Sequence, residues 1–410
     1  MGFFSEVEIS SRTPAGCGTS CTRYRSCTTA KVPLSGNGRE GILIITETPL
    51  EDYELMRLSQ TMESLGINTA EDCWTIPAVA CSGDDVTPAE VQSCRPNVLA
   101  AITKHNPRLI LMLGKAAMEC VVGHSNPKIA FGKRKGFPLL CGKVFPDRAF
   151  PGTWLACAWS PSFICRKETK REYDPVVPVI WRNELEQILD VAKEPPLDRP
   201  DKVVLLLNAT DTLGMLNKLA VGTKPFAFDY ETTGLKPDAK GHRIVSIGFA
   251  PTVACGYAFA LGTTPEWDPV KAAWKSIMGD KTRPQIAHNL PYEFSWTHKC
   301  FNVVPRGWAG DTQVLAHLED SRPGHSGLKA QSYLKFGVPT YDDCVSKFIR
   351  SSHADEDRYG CNALNNMAKA PVRDMLKYNA LDALYTLRLW YWYKEQGVAA
   401  NDGEDYTIHG

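Results

Sequence analysis

No run in the sequence approaches the roughly 20 consecutive apolar residues a helix needs to cross a bilayer. The opening MGFFSEVEIS has neither the basic nor the apolar region of a signal peptide. On those two absences membrane and secreted readings drop out, and the expected location is cytoplasmic. An excess of one charge is missing too: 46 Lys and Arg balance 46 Asp and Glu, and each half of the chain, 1–200 and 201–410, carries 23 of each. Bulk charge therefore selects no partner. Internal repeats and low-complexity tracts are also absent, which removes solenoid and compositionally disordered architectures.

What is present is a globular composition. At 410 residues, 43% apolar and 22% charged, the chain is long enough for about two domains. The stretch AKEPPLDRPDK, 192–202, sets three prolines among alternating charges and sustains neither helix nor central strand. A cut near 197 gives domains 1–196 and 197–410. Both read as α/β: GILIIT and RLILMLG look like buried strands before the cut, and VVLLL, FAFDY and RIVSIGFA after it, with helical stretches near 210–220 and 370–396. Fourteen cysteines in a long chain without a secretion signal point to free thiols and metal ligation rather than disulfides.

In the second half, FDYETTGL at 228–235 places Asp229 and Glu231 two apart on a strand, so both side chains leave the same face. Two carboxylates aimed at one spot repel unless a cation joins them. Downstream, IAHNLPYEFSW brings Asn289 and a third acid, Glu293, to the start of a helix. The helical VRDMLKYNALDALYTLRLW places Tyr378 and Asp382 four apart on one face. Together with the Asp311 segment GDTQVLAHL, these motifs resemble the DEDD superfamily of 3′-5′ exonucleases over residues 203–395, in the subgroup whose third motif carries tyrosine, as in the proofreading domains of family A DNA polymerases. The fold this implies is a ribonuclease H-like mixed sheet.

The resemblance implies that Asp229, Glu231, Glu293 and Asp382 hold two Mg²⁺ or Mn²⁺ ions, with Asp229 bridging them and Tyr378 orienting the attacking water. Hard cations take oxygen ligands, and a pair of them can neutralise phosphate charge and activate water. Asn289 and Asp311 are expected to support the site. Glu293 stands where the family carries aspartate, and its extra methylene keeps the charge while changing the reach.

In the first half, Cys17, Cys21 and Cys27 bunch early, and Cys81 and Cys94 flank SGDDVTPAEVQS. Two groups of thiols far apart suit a four-thiolate site for zinc or an iron-sulfur cluster. With VPLSGNGREGILIITETPLED and the Leu-Gly segment near 113, they resemble the iron-sulfur family 4 uracil-DNA glycosylases over about 17–170. That implies a [4Fe-4S] cluster on Cys81, Cys94 and two of the three early cysteines, either Cys17 with Cys21 or Cys21 with Cys27. The family's two catalytic motifs are altered here, to TETPL at 46–50 and WSPSFICR at 159–166, the latter with Ser160 where histidine belongs. The expectation is a glycosylase-like domain that binds DNA or a partner without excising uracil. Residues 128–171 hold ten Lys or Arg against two acids, among them Lys133, Arg134, Lys135, Arg166 and Lys167. Such a segment is either a phosphate-contacting surface or a solvated basic loop.

Joined, the halves look like the front of certain phage-type DNA polymerases. The expected activity is metal-dependent 3′-5′ exonuclease on single-stranded DNA 3′ ends, as a proofreading subunit whose polymerase is a separate chain, or as a standalone nuclease, in host cytoplasm if phage-encoded. The competing expectations are a uracil-DNA glycosylase and a non-catalytic DNA- or polymerase-binding adaptor.

Overall fold

The computed structural model describes residues 33–81, 86–125, 136–169, 171–196 and 199–398. Cys17, Cys21, Cys27, Lys133, Arg134 and Lys135 lie outside the described residues. The chain forms two compact units, Met1–Asp198 with Tyr333–Pro339, and Arg199–Ser332 with Thr340–Gly410.

The first unit is built on a five-stranded sheet. Its strands are β1 (Ile42–Thr46), β2 (Cys73–Pro77), β3 (Leu109–Leu113), β4 (Lys143–Pro146) and β5 (Trp154–Ala158), in the order β2-β1-β3-β5-β4. All neighbours are parallel except the β4–β5 pair at the edge. The runs ILIIT and LILML are apolar at every position but the last of β1 because both faces are covered. Leu43, Ile45, Ile110 and Met112 enter one core, while Ile42, Ile44, Leu109 and Leu111 enter the other. Tyr333 and Leu334 are buried in the first of these cores. A single cut near 197 misses that segment, since membership here comes from burial and not from chain order.

The second unit carries a six-stranded mixed sheet of β6 (Lys202–Leu206), β7 (Phe226–Thr232), β8 (Ile244–Thr252), β9 (Cys255–Ala260), β10 (Gln285–Ala287) and β11 (Trp308–Asp311), ordered β11-β10-β7-β8-β9-β6. Strands β7, β8 and β9 form an antiparallel meander, and β10, β11 and β6 pair in parallel outside it. Period-two alternation sorts β7 into two jobs. Phe226, Phe228 and Tyr230 pack on one face against fully buried Trp274 of the Asp268–Gly279 helix, whose indole N–H donates to the Tyr230 hydroxyl at 2.8 Å. Ala227, Asp229 and Glu231 are left for the opposite face, where the 24-residue Val372–Glu395 helix lies against β7, β8 and β9.

Two glycines let that helix come close. A Cβ on Gly248 would stand 2.4 Å from the carbonyl oxygen of Asn379, and one on Gly256 would stand 2.2 Å from that of Ala380. Gly248 pairs directly with Asp229 across the β7–β8 ladder, so the close approach falls where the acids are. Replacing Gly248 with Ala or Val forces backbone apart from backbone, and overpacking of this kind costs about 1–3 kcal/mol. The expected result is a lower denaturation midpoint for the second unit, greater for Val than for Ala. An unchanged midpoint in both variants would contradict the close packing described here.

Candidate active site

The acids arrive from a strand and a helix. Asp229 and Glu231 project from the same face of β7, and Asp382 comes from the third turn of the Val372–Glu395 helix that crosses that face. One ligand oxygen from each of the three lies within 4.8 Å of the others. Asp382 is buried and Asp229 half-buried. Asn379, one turn before Asp382, donates its amide to Asp229 Oδ2 at 2.7 Å and to the Asp229 carbonyl at 3.2 Å, and it accepts from Ser246 at 3.0 Å. This amide fixes the Asp229 rotamer and ties helix to strand.

Like charges held this way resist ionisation together. Burial, then the Asp382 charge, pushes the Asp229 carboxyl up to about 7, against the pull of Lys329 and the Asn379 hydrogen bond. Burial, then the charges of Asp229 and Asp382, raises Glu231 well above the carboxylate range. The arrangement is unfavourable as three bare anions and favourable around a cation.

Glu293 occupies the first turn of the Leu290–Phe301 helix and is buried, outside the group of three. Its Oε2 has no hydrogen-bond partner, and burial followed by the Asp229 charge raises its carboxyl strongly. A buried carboxylate oxygen without a partner, next to a cluster of acids, fits a cation ligand. The start of that helix is held by Asp311, which accepts from the backbone N–H groups of Asn289 at 3.0 Å, Leu290 at 2.8 Å and Gln313 at 2.8 Å. Asn289 stands at the N-terminus of that helix with a left-handed backbone (φ 76°), and its side chain makes no cap hydrogen bond there.

Tyr378 is buried, with its ring centroid 5.9 Å from that of Tyr341. Burial and the Asp382 charge raise both phenols well above their ordinary value, keeping them protonated as hydrogen-bonding groups. Tyr341 donates to Asp382 Oδ1 at 2.6 Å, and Lys329 Nζ pairs with the same oxygen. Asn379, Lys329 and Tyr341 were not singled out in the sequence. Asn379 could have been, because it lies three residues before Asp382 on one helical stripe. Lys329 and Tyr341 fall in GLKAQSYLKFGVPTYDD, where no spacing marks them.

In the first unit Cys81 and Cys94 are both buried, Cys94 within the Pro88–His105 helix. Arg166 is exposed, and Lys167 pairs with Glu172 at 3.3 Å. Both cations lie over the Phe163 ring, at 5.8 and 5.5 Å. Side chains of both motifs, the changed Ser160 and the retained Glu47, serve helix ends. Ser160 caps the Pro161–Lys167 helix by accepting from Phe163 N at 3.3 Å, and Glu47 accepts from Ala116 N at 3.1 Å in the first turn of the Lys115–Ser125 helix.

Comparison with known proteins matches residues 207–392 to the family model described as 3′-5′ exonuclease, and residues 38–182 to that of the uracil DNA glycosylase superfamily. DNA polymerase I of Chloroflexus aurantiacus is 26% identical over 196 residues, 47% of this chain and 19% of the relative, so the chain spans about a fifth of that relative's length. Among solved structures, Escherichia coli RNase D, an exoribonuclease involved in structured RNA processing, is 18% identical over 48% of this chain and 46% of its own, with a TM-score of 0.34. Brucella melitensis NrnC with bound Mg²⁺ is 17% identical over 49% of this chain and 85% of its own, with a TM-score of 0.32. Among the described residues no helix is long and apolar enough to cross a membrane. The chain thus carries two α/β units, one matching the uracil DNA glycosylase superfamily model over residues 38–182 and the other matching the 3′-5′ exonuclease model over residues 207–392.

Proposed function

We propose that the second unit removes nucleotides from DNA 3′ ends, single-stranded ends before duplex ones, by metal-dependent phosphodiester hydrolysis, and that it proofreads for a DNA polymerase. The observation that carries this reading is the convergence of Asp229, Glu231 and Asp382 within 4.8 Å. Carboxylate oxygens suit Mg²⁺ or Mn²⁺. When bound, two such ions would neutralise phosphate charge and supply an activated water. The chain's own residues do the rest. Asp229, Glu231 and Asp382 would be the principal ligands, and Asn379 holds the Asp229 carboxylate in place by its hydrogen bond. Glu293, set apart from the three and longer by a methylene than the family's aspartate, would offer a further ligand oxygen through its unpartnered Oε2. The protonated phenol of Tyr378 orients the attacking water. The polymerase association rests on the name of the Chloroflexus relative and on the family resemblance.

The reading requires that 3′-labelled single-stranded DNA lose mononucleotides with Mg²⁺ present and none with chelator. Asp229→Ala should lower that rate by at least about a hundredfold, since a lost ligand removes several kcal/mol of charge stabilisation. Undiminished release by a folded Asp229→Ala variant would reject the site.

For the first unit we propose DNA or partner binding without base excision. Excision needs donors or positive charge poised at the leaving base. Ser160, which stands where the family carries histidine, instead caps a helix. Uracil-containing strands incubated with the protein and then treated with alkali are expected to stay intact, and strand breaks would restore the glycosylase reading.

We further propose that buried Cys81 and Cys94 ligate a [4Fe-4S] cluster, with two of Cys17, Cys21 and Cys27 completing it and Arg166, Lys167 and the Lys133–Lys135 segment contacting DNA phosphates. Protein purified without oxygen should be brown, with about four irons per chain as four-thiolate coordination of this cluster requires. A colourless zinc protein would contradict the assignment.

A further inference from the structure

The acid cluster already holds a cation of its own. Lys329, at the start of the Leu328–Phe336 helix, places Nζ on Asp382 Oδ1, the oxygen that also accepts from Tyr341. The ammonium is flanked by two rings, 4.4 Å from the Tyr341 centroid and 4.3 Å from that of Tyr378. Its side chain is 26% exposed, so it reaches the cluster from the solvent side while Asp382 stays covered. Its charge also acts on Asp229 and Glu231, opposing the rise that burial imposes on both.

We propose that Lys329 competes with the divalent cation for Asp382 and, once displaced, pairs with the phosphate of the nucleic acid. This rests on the exonuclease reading above. A single positive charge beside three carboxylates compensates them only partly. A doubly charged ion can draw on all three at ligand distances of roughly 2.0–2.1 Å for Mg²⁺ and so displaces it. The displaced ammonium does not travel far, because the faces of Tyr341 and Tyr378 attract a cation wherever it sits between them. It is then a mobile point charge at the mouth of the site, suited to a phosphate oxygen. Two consequences follow. Without nucleic acid the site binds its ion more weakly than the carboxylates alone would allow. With nucleic acid the phosphate takes up the ammonium, Asp382 is released, and the ion binds more tightly. By linkage, the ion strengthens nucleic-acid binding by the same factor. Lys329 is on this account a positioning residue for Asp382 and a contact for the substrate in one side chain.

The test is Mn²⁺ binding to the full chain, read by calorimetry and by the paramagnetic resonance of free Mn²⁺, with and without a single strand whose terminal linkage resists cleavage. Lys329→Met and Lys329→Gln should each bind Mn²⁺ about tenfold more tightly than the parent in the absence of DNA, which corresponds to about 1.4 kcal/mol. Adding the strand should tighten Mn²⁺ in the parent but not in these variants. Lys329→Arg should keep the weak parental affinity and its response to DNA. Turnover should fall in Met and Gln although their metal affinity rises, a split that loss of structure would not produce. Unchanged or weaker Mn²⁺ binding in both folded neutral variants overturns the proposal. If the parent binds no Mn²⁺, or binds it equally after Asp229→Ala, the exonuclease reading fails as well. Binding that needs Asp229 but ignores residue 329 removes this inference alone.

Discussion

Burying several carboxylates at one point is the constraint on which the second unit turns. Separated from water and set beside Asp382, the carboxyls of Asp229 and Glu231 resist ionisation, and that of Asp229 rises to about 7. Nothing in the hydrophobic effect calls for such a cluster. It persists because the surrounding structure determines the position of each member. The aromatic face of β7 is clamped by Trp274, which leaves the acids no choice of face. Gly248 and Gly256 admit the long helix to backbone distance, and Asn379 then reaches from that helix to the Asp229 carboxylate. Stability elsewhere in the unit offsets electrostatic strain at the site, and a cation relieves it.

A buried polar network is worth its members only when each is satisfied. Most are: Asp311 takes three backbone N–H groups, Asn379 uses both ends of its amide, and Tyr341 donates to Asp382. Glu293 is not, with an oxygen that is buried and unpartnered. The first unit shows the converse situation. There the polar side chains at the altered motifs have been drawn into helix capping, and the surroundings of Ser160 are those of a structural hydroxyl.

Much of this was legible in the residues alone, and for physical reasons. Period-two alternation shows that Asp229 and Glu231 share a face, and helical spacing does the same for Tyr378 and Asp382. The apolar runs of β1 and β3 declare a sheet covered on both sides. What could not be read depends on contacts between segments distant in sequence. Lys329 and Tyr341 carry no periodic signal, and they matter only because the chain brings both to one oxygen of Asp382. Gly248 is an ordinary strand glycine until the Asn379 carbonyl is found against it. The bonds from the Asn289 and Leu290 backbone to Asp311 likewise join segments about twenty residues apart. Tyr333–Pro339 belongs with the first unit because Tyr333 and Leu334 are buried there, which no boundary drawn along the chain anticipates.

The central claim is that these acids are brought together to hold a cation. Anomalous diffraction from crystals soaked in Mn²⁺ tests it most directly. The account predicts a peak bonded to oxygens of Asp229, Glu231 and Asp382, with Lys329 Nζ moved off Asp382. Full soaking with no peak at these carboxylates, or with Mn²⁺ bound only elsewhere on the chain, would contradict it.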